Sequence, residues 1–63
     1  KKGKTMNLKY EYGQKVTDTL TGFTGSITGC AYYYNKRQTL YLVENVDSTG
    51  RPIEEWIEES RLS

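Results

Sequence analysis

The chain has no histidine, one cysteine, one proline and one methionine among its 63 residues. Without histidine there is no imidazole base, no histidine-based triad and no histidine metal site. A lone Cys30 excludes an intramolecular disulfide and a zinc finger. Small secreted domains usually lean on several disulfides, so a reducing cytoplasm is the expected setting. Cys30 itself is expected as a small, half-buried packing residue rather than a nucleophile. No apolar run approaches the ~18 residues of a membrane-spanning helix. No apolar segment of the signal-peptide kind follows the basic start of the chain. Neither G-x-x-x-x-G-K-[ST] nor G-x-G-x-x-G occurs, and T-G-F-T-G (residues 21–25) lacks both the spacing and the lysine of a nucleotide loop. The acidic pairs Glu54/Glu55 and Glu58/Glu59 lack the oxygen-ligand spacing of a cation loop and read as a solvated face. No catalytic residue, metal ligand or cofactor is expected.

What the chain does have is aromatic weight. Six Tyr, one Phe and one Trp make up 13% of it. Aromatic side chains carry the most area per residue, which suits a small β-rich core. A domain this short buries only about 60% of its unfolded surface, so each large side chain counts. The net charge of +1 points to no partner by itself, but the charges are unevenly placed. Residues 1–37 hold seven Lys/Arg against Glu11 and Asp18. Residues 44–63 hold six carboxylates against Arg51 and Arg61. The basic half could face an acidic partner, or both halves could be ordinary solvated surface.

The stretch from Gly13 to Gly25 (G-Q-K-V-T-D-T-L-T-G-F-T-G) organises the rest. It reads as a strand over Lys15–Leu20, with Val16 in the core and Leu20 a candidate to join it, then a turn over Leu20–Thr24. Gly22 and Gly25 let the backbone reverse sharply around Phe23. Before it, Lys1–Thr5 is read as an N-terminal extension or expression remnant, and residues 6–63 as one domain. Asn7–Tyr12 alternates Leu8, Tyr10 and Tyr12 with charged residues, predicting a short strand or extended lead-in.

Gly25–Tyr34 is the longest predicted strand. Ile27, Ala31 and Tyr33 share one parity with Gly29; Thr28, Cys30, Tyr32 and Tyr34 share the other. A mid-strand Gly29 predicts a bulge or bend, which leaves the parity beyond it open. Asn35–Gln38 is a hairpin loop. Thr39–Val46 follows, with Tyr41 and Val43 on one face and Leu40 and Leu42 on the other. Apolar residues on both faces predict a strand covered twice or one that leaves a patch exposed. Asp47–Pro52 has loop chemistry. Ile53–Leu62 reads in two ways: a strand to Ile57 followed by a helical or 3₁₀ turn, or one amphipathic helix from Pro52.

With these residues identified, the chain resembles a family of short, uncharacterised phage and prophage proteins. Their opening Gly-x-x-Val-x-Asp-x-x-Thr-Gly-Phe-x-Gly is matched here by Gly13, Val16, Asp18, Thr21, Gly22, Phe23 and Gly25. Their closing Trp-x-x-Glu-x-x-Leu is matched by Trp56, Glu59 and Leu62. The resemblance spans roughly residues 13–62. More broadly the chain is similar to small SH3-like barrels of the KOW and Tudor kind. The resemblance implies fold and origin; it brings no activity with it.

The expected fold is therefore all-β: a small five-stranded SH3-like barrel with a helical turn near the C-terminus. Its expected core is Val16, Phe23, Ile27, Tyr41, Val43, Trp56 and Leu62, with Trp56 as keystone. The candidate binding residues are Tyr32, Tyr34, Lys36, Arg37, Leu40 and Leu42. Alternation must put at least one of Tyr32, Tyr33 and Tyr34 outside. An exposed tyrosine beside Lys36 and Arg37 could stack a base and hold a phosphate, or form a protein hot spot. Equally, Tyr33 could be core and the two cations could merely solubilise a hairpin tip. Two function classes follow. The first is a non-enzymatic module binding a host or phage protein, as an inhibitor of a host system, with self-association through Leu40 and Leu42 as a corollary. The second is a KOW-like accessory protein binding RNA or single-stranded DNA. No membrane partner is expected.

Overall fold

The computed structural model describes residues 8–63; the expectations placed on residues 1–7 lie outside it. Four antiparallel strands follow one another as a meander: β1 (Lys15–Thr17), β2 (Thr24–Tyr33), β3 (Gln38–Val46) and β4 (Pro52–Glu58). Together they curl into a half-barrel. A 3₁₀ turn, Glu59–Arg61, follows β4, so the C-terminal segment is strand plus turn and not a helix. β4 alternates an outer set, Glu54 and Trp56, with an inner set, Ile53, Glu55 and Ile57. Its register sets Ile57 against Tyr41 and Trp56 against Leu42.

Two features of β2 bend the sheet. Ile27 pairs with Val43 and Gly29 with Leu42, so Thr28 is an extra residue in the ladder. A bulge of this kind sharpens the local twist and shifts side-chain parity. Ile27 therefore points into the core, whereas Ala31 and Tyr33, which share its parity in sequence, join Leu40 on the other face. Upstream, β2 lies so close to β3 that a Cβ on Gly25 would collide with the Glu44 carbonyl and come within 2.9 Å of Val43 Cγ1. Only glycine fits at that crossing.

The core is Tyr10, Val16, Ile27, Tyr41, Val43, Ile57 and Leu62, with Phe23 half-buried against it. Tyr41 and Val43 are fully enclosed. The Tyr10 and Tyr41 rings meet edge to face at 5.3 Å. The Tyr41 hydroxyl donates to Glu59 Oε2 (3.0 Å) and accepts from the Lys9 amide (3.0 Å). The Tyr10 hydroxyl donates to the Leu62 carbonyl at 2.9 Å. Burial of the phenol raises the Tyr41 pKa, and its bond to Glu59 raises it further.

Trp56 is half exposed and not the keystone; its neighbour Ile57 fills the core position because alternation admits only one of the two. The described part of the lead-in, residues 8–12, forms bends and a turn rather than a strand. It places only Tyr10 in the core, leaving Leu8 and Tyr12 exposed. β1 stops at Thr17, and Leu20 stands out in the turn. Cys30 is exposed although it pairs with the enclosed Tyr41, because it opens onto a cleft lined by Leu8, Tyr10 and Tyr12. The loop between β3 and β4 is held by Asp47, whose Oδ1 accepts from the Thr49 amide (2.9 Å), the Thr49 hydroxyl (2.7 Å) and the Arg51 amide (3.0 Å). Those bonds lower the Asp47 pKa, the Thr49 hydroxyl first among them.

The tail closes the structure along the free edge of β1. Asp18 and Leu62 form an antiparallel bridge. The Thr17 and Ser63 backbones exchange two hydrogen bonds, each 3.0 Å, and the Thr19 amide donates to the Arg61 carbonyl at 2.7 Å. Among the described residues no helix is long and apolar enough to cross a membrane.

Candidate interaction surfaces

The β2–β3 hairpin carries the candidate residues, and the register divides them. Gln38, Leu40, Leu42 and Glu44 point to the outer face of the sheet; Thr39, Tyr41 and Val43 point inward. Tyr32 pairs with Thr39 and so lies on the inner side, beyond the end of the core. Its ring meets that of Tyr34 edge to face at 5.4 Å, and Tyr34 is 85% exposed. Lys36 and Arg37 form the exposed tip, where the loop closes with Arg37 at a positive φ of 50°. Tyr32 and Tyr34 thus make one surface and Leu40 with Leu42 another on the opposite face, while Lys36 and Arg37 stand at the tip between them, Lys36 leaning toward Tyr33.

The outer surface is larger than its two leucines. Leu42 is flanked by Gly29 on one side and Trp56 on the other. The Trp56 ring reaches across Leu42, so that a Cβ on Gly29 would lie 3.6 Å from Trp56 Cη2. Leu40 is flanked by Ala31 and by Glu58, whose carboxylate accepts from the Gln38 side-chain amide. Tyr33 ends the row; it is exposed rather than core, and Lys36 Nζ stands 6.0 Å from its ring centre. Tyr33, Ala31, Leu40, Leu42 and Trp56 form one apolar strip down the outer face, with Glu44 and Glu54 paired at its far end. The sequence signal for Trp56 was its shared parity with Glu54; its size argued for the core instead.

A second constellation was not singled out from sequence as a site. Asp18 is enclosed, with its carboxylate fully engaged. It accepts from Leu20 N (2.9 Å), the Thr21 hydroxyl (2.9 Å) and Arg61 Nε (3.1 Å), and it pairs with Arg61 Nη2. The hydrogen-bonded guanidinium is the main reason the Asp18 pKa falls well below the usual carboxylate range. The same bond raises the Arg61 pKa. This ion pair ties the β1–β2 loop to the 3₁₀ turn. Beside it opens a cleft of about 350 Å³, lined by Thr21 and Phe23 of that loop, by Glu55, Trp56 and Ile57 of β4, and by Arg61.

Partial desolvation raises the Cys30 thiol pKa, and the Glu59 charge raises it further. Glu54 and Glu55 project from opposite faces of β4, and no group of three or more potential metal ligands converges among the described residues. Comparison of the chain with protein-family models, curated proteins and solved structures returns no match.

Proposed function

We propose that the protein is a non-enzymatic interaction module of the phage or prophage type, whose outer sheet face binds a host or phage protein. The observation that carries this reading is the strip Tyr33–Ala31–Leu40–Leu42–Trp56. A chain with so few large apolar residues leaves its only tryptophan half in solvent, beside two leucines it does not fully cover. Aromatic residues in a contiguous apolar patch with a polar rim are what binding hot spots are made of. A partner held there would be blocked over the area it uses, which is how so small a module inhibits a host system. The resemblance of residues 13–62 supports the phage origin. The tail bridge supports an SH3-like barrel in which Leu62–Ser63 serves as the fifth strand.

The test is affinity capture from bacterial lysate in parallel with wild type and Leu42→Asn/Trp56→Ala, at a temperature where thermal melts show both to be folded. A stoichiometric protein retained by the wild type alone supports the reading. Identical eluates sink it. Sedimentation of the same pair settles whether a second copy competes for the strip. Two hairpins packed antiparallel would bring each basic tip to the other's Glu44 and Glu54, so dimers should weaken with salt.

The exposed Tyr34, edge to face with Tyr32 on the hairpin whose tip carries Lys36 and Arg37, favours a second reading: single-stranded nucleic acid held at the hairpin tip.

A further inference from the structure

The far edge of β4 is an open edge. β4 pairs with β3 on one side, and among the described residues none of its backbone groups bonds to any other element. About half the amides of residues 53–58 and half the carbonyls of Pro52–Glu58 must therefore point away from the sheet. The cleft beside the Asp18–Arg61 pair runs along this strand. Side chains of a strand alternate, yet Glu55, Trp56 and Ile57 all line that cleft, which is possible only if it meets β4 edge-on. The opposite wall is Phe23 and Thr21, and its volume of about 350 Å³ falls at the small end of ligand pockets.

Charge decides what fits. β4 carries Glu54, Glu55 and Glu58 and no cation. Arg61, the nearest cation, is held by Asp18. Two β4 edges meeting would set carboxylate against carboxylate, so a second copy is disfavoured at this edge. A strand with cations on one face would meet Glu54 and Glu58 on the outer side, with the Trp56 ring between them. Its other face would lie along Ile53, Glu55 and Ile57, with apolar side chains reaching the cleft against Phe23, Ile57 and the Glu55 stem.

We infer that the open edge of β4 takes an extended peptide of alternating basic and apolar residues as an additional strand. Backbone hydrogen bonds supply affinity and the two faces supply selectivity. This site is distinct from the outer strip except at Trp56, and it does not depend on what binds there.

The test uses a fluorescein-labelled Lys-Val-Lys-Val-Lys-Val-Lys peptide, titrated by anisotropy against the full chain. Three relatives accompany it: one with Glu for every Lys, one N-methylated at every Val, and one N-methylated at every Lys. In a strand, the amides of alternate residues point to opposite edges. Strand addition therefore requires that one methylated peptide lose binding and the other keep it. The Glu peptide should not bind. Glu54→Lys should weaken the basic peptide several-fold while the protein stays at least as stable as wild type, so that the loss cannot be ascribed to misfolding. The two methylation patterns behaving alike, whether both bind or neither does, overturns the inference. So does a basic peptide that binds Glu54→Lys as tightly as wild type.

Discussion

Asp18 is the residue on which most of the loop chemistry converges. Its carboxylate gathers donors from Leu20, Thr21 and Arg61, and its backbone bonds to Gly22 and Phe23 close the turn. Its folded pKa lies below the usual carboxylate value of 3.8. The resulting stabilisation is fully present above that value, where the unfolded chain is ionised too, and is lost as pH falls through the folded value. Thermal melts from pH 7 down to pH 2 should show Asp18→Asn less stable than wild type at neutrality, with the gap narrowing below about pH 4 as the wild type loses its advantage. Curves that stay parallel to the acid end would mean that the ion pair does not contribute. Trp56 and Ile57 offer a second comparison. Ile57→Ala removes an enclosed side chain and should cost about 2–5 kcal/mol. Trp56→Ala should cost no more than about 1–2 kcal/mol, since half the ring is already in water. Paired chemical denaturation gives both values, and the reverse order would place Trp56 inside. Sequence alone favoured Trp56 because it is the larger side chain. Size does not decide burial in a strand; register does, and here register follows from pairing with β3.

At the scale of elements, β2 is where sequence reading succeeded and then lost its footing. Gly29 announced a break, and the break is there, but the extra residue is Thr28. That one-residue slip sends Ala31 and Tyr33 outward, which no count of alternation across the bulge could anticipate. The bulge is also stitched from the side: the Thr28 hydroxyl donates to Glu44 Oε2 at 2.7 Å. Glu44 faces Glu54 directly across the β3–β4 ladder, and like charges in that position repel. Glu54→Thr should therefore raise stability by about 0.2–1 kcal/mol, an effect that shrinks at high salt. No gain at low ionic strength would show that the two side chains splay apart. Gly25 was legible as a glycine that lets the chain reverse and two backbones approach; that the approaching backbone is Glu44 of β3 is what the structure adds. Gly25→Ala should cost about 1–3 kcal/mol by forcing that crossing open. An unchanged denaturation midpoint would contradict the collision with Glu44. The lead-in failed for a related reason. Its alternation suits a strand, but its backbone finds few partners in the sheet, and Tyr10 alone enters the core.

For the whole molecule, closure and charge layout matter more than any single contact. The chain ends by returning to its beginning, Leu62 to Asp18 and Ser63 to Thr17, so the half-barrel is fastened across its first strand. The closing Leu62 was foreseen as a core residue; the hydrogen bonds that seat it were not, because backbone pairing leaves little trace in so short a segment. Charge runs along the β2–β3 hairpin, from Lys36 and Arg37 at the tip to Glu44 and Glu54 at the other end of the outer face. Tyr32 and Tyr34 stand on the inner side of that tip, away from the outer carboxylates. Nucleic-acid binding at the tip would thus be local: one or two phosphates on the cations and a base against Tyr34. With so few charges neutralised, affinity should fall with a log–log salt slope of about −0.7 per phosphate on a single strand. Titration of labelled single-stranded RNA and DNA at about 50 and 200 mM salt reads that slope directly. Lys36→Ala/Arg37→Ala should lose binding and keep its melting temperature, since both side chains lie in solvent. Tyr34→Ala should weaken binding without changing the slope, because stacking carries no counterions. If the wild type binds neither strand at the lower salt, the tip is not a nucleic-acid site.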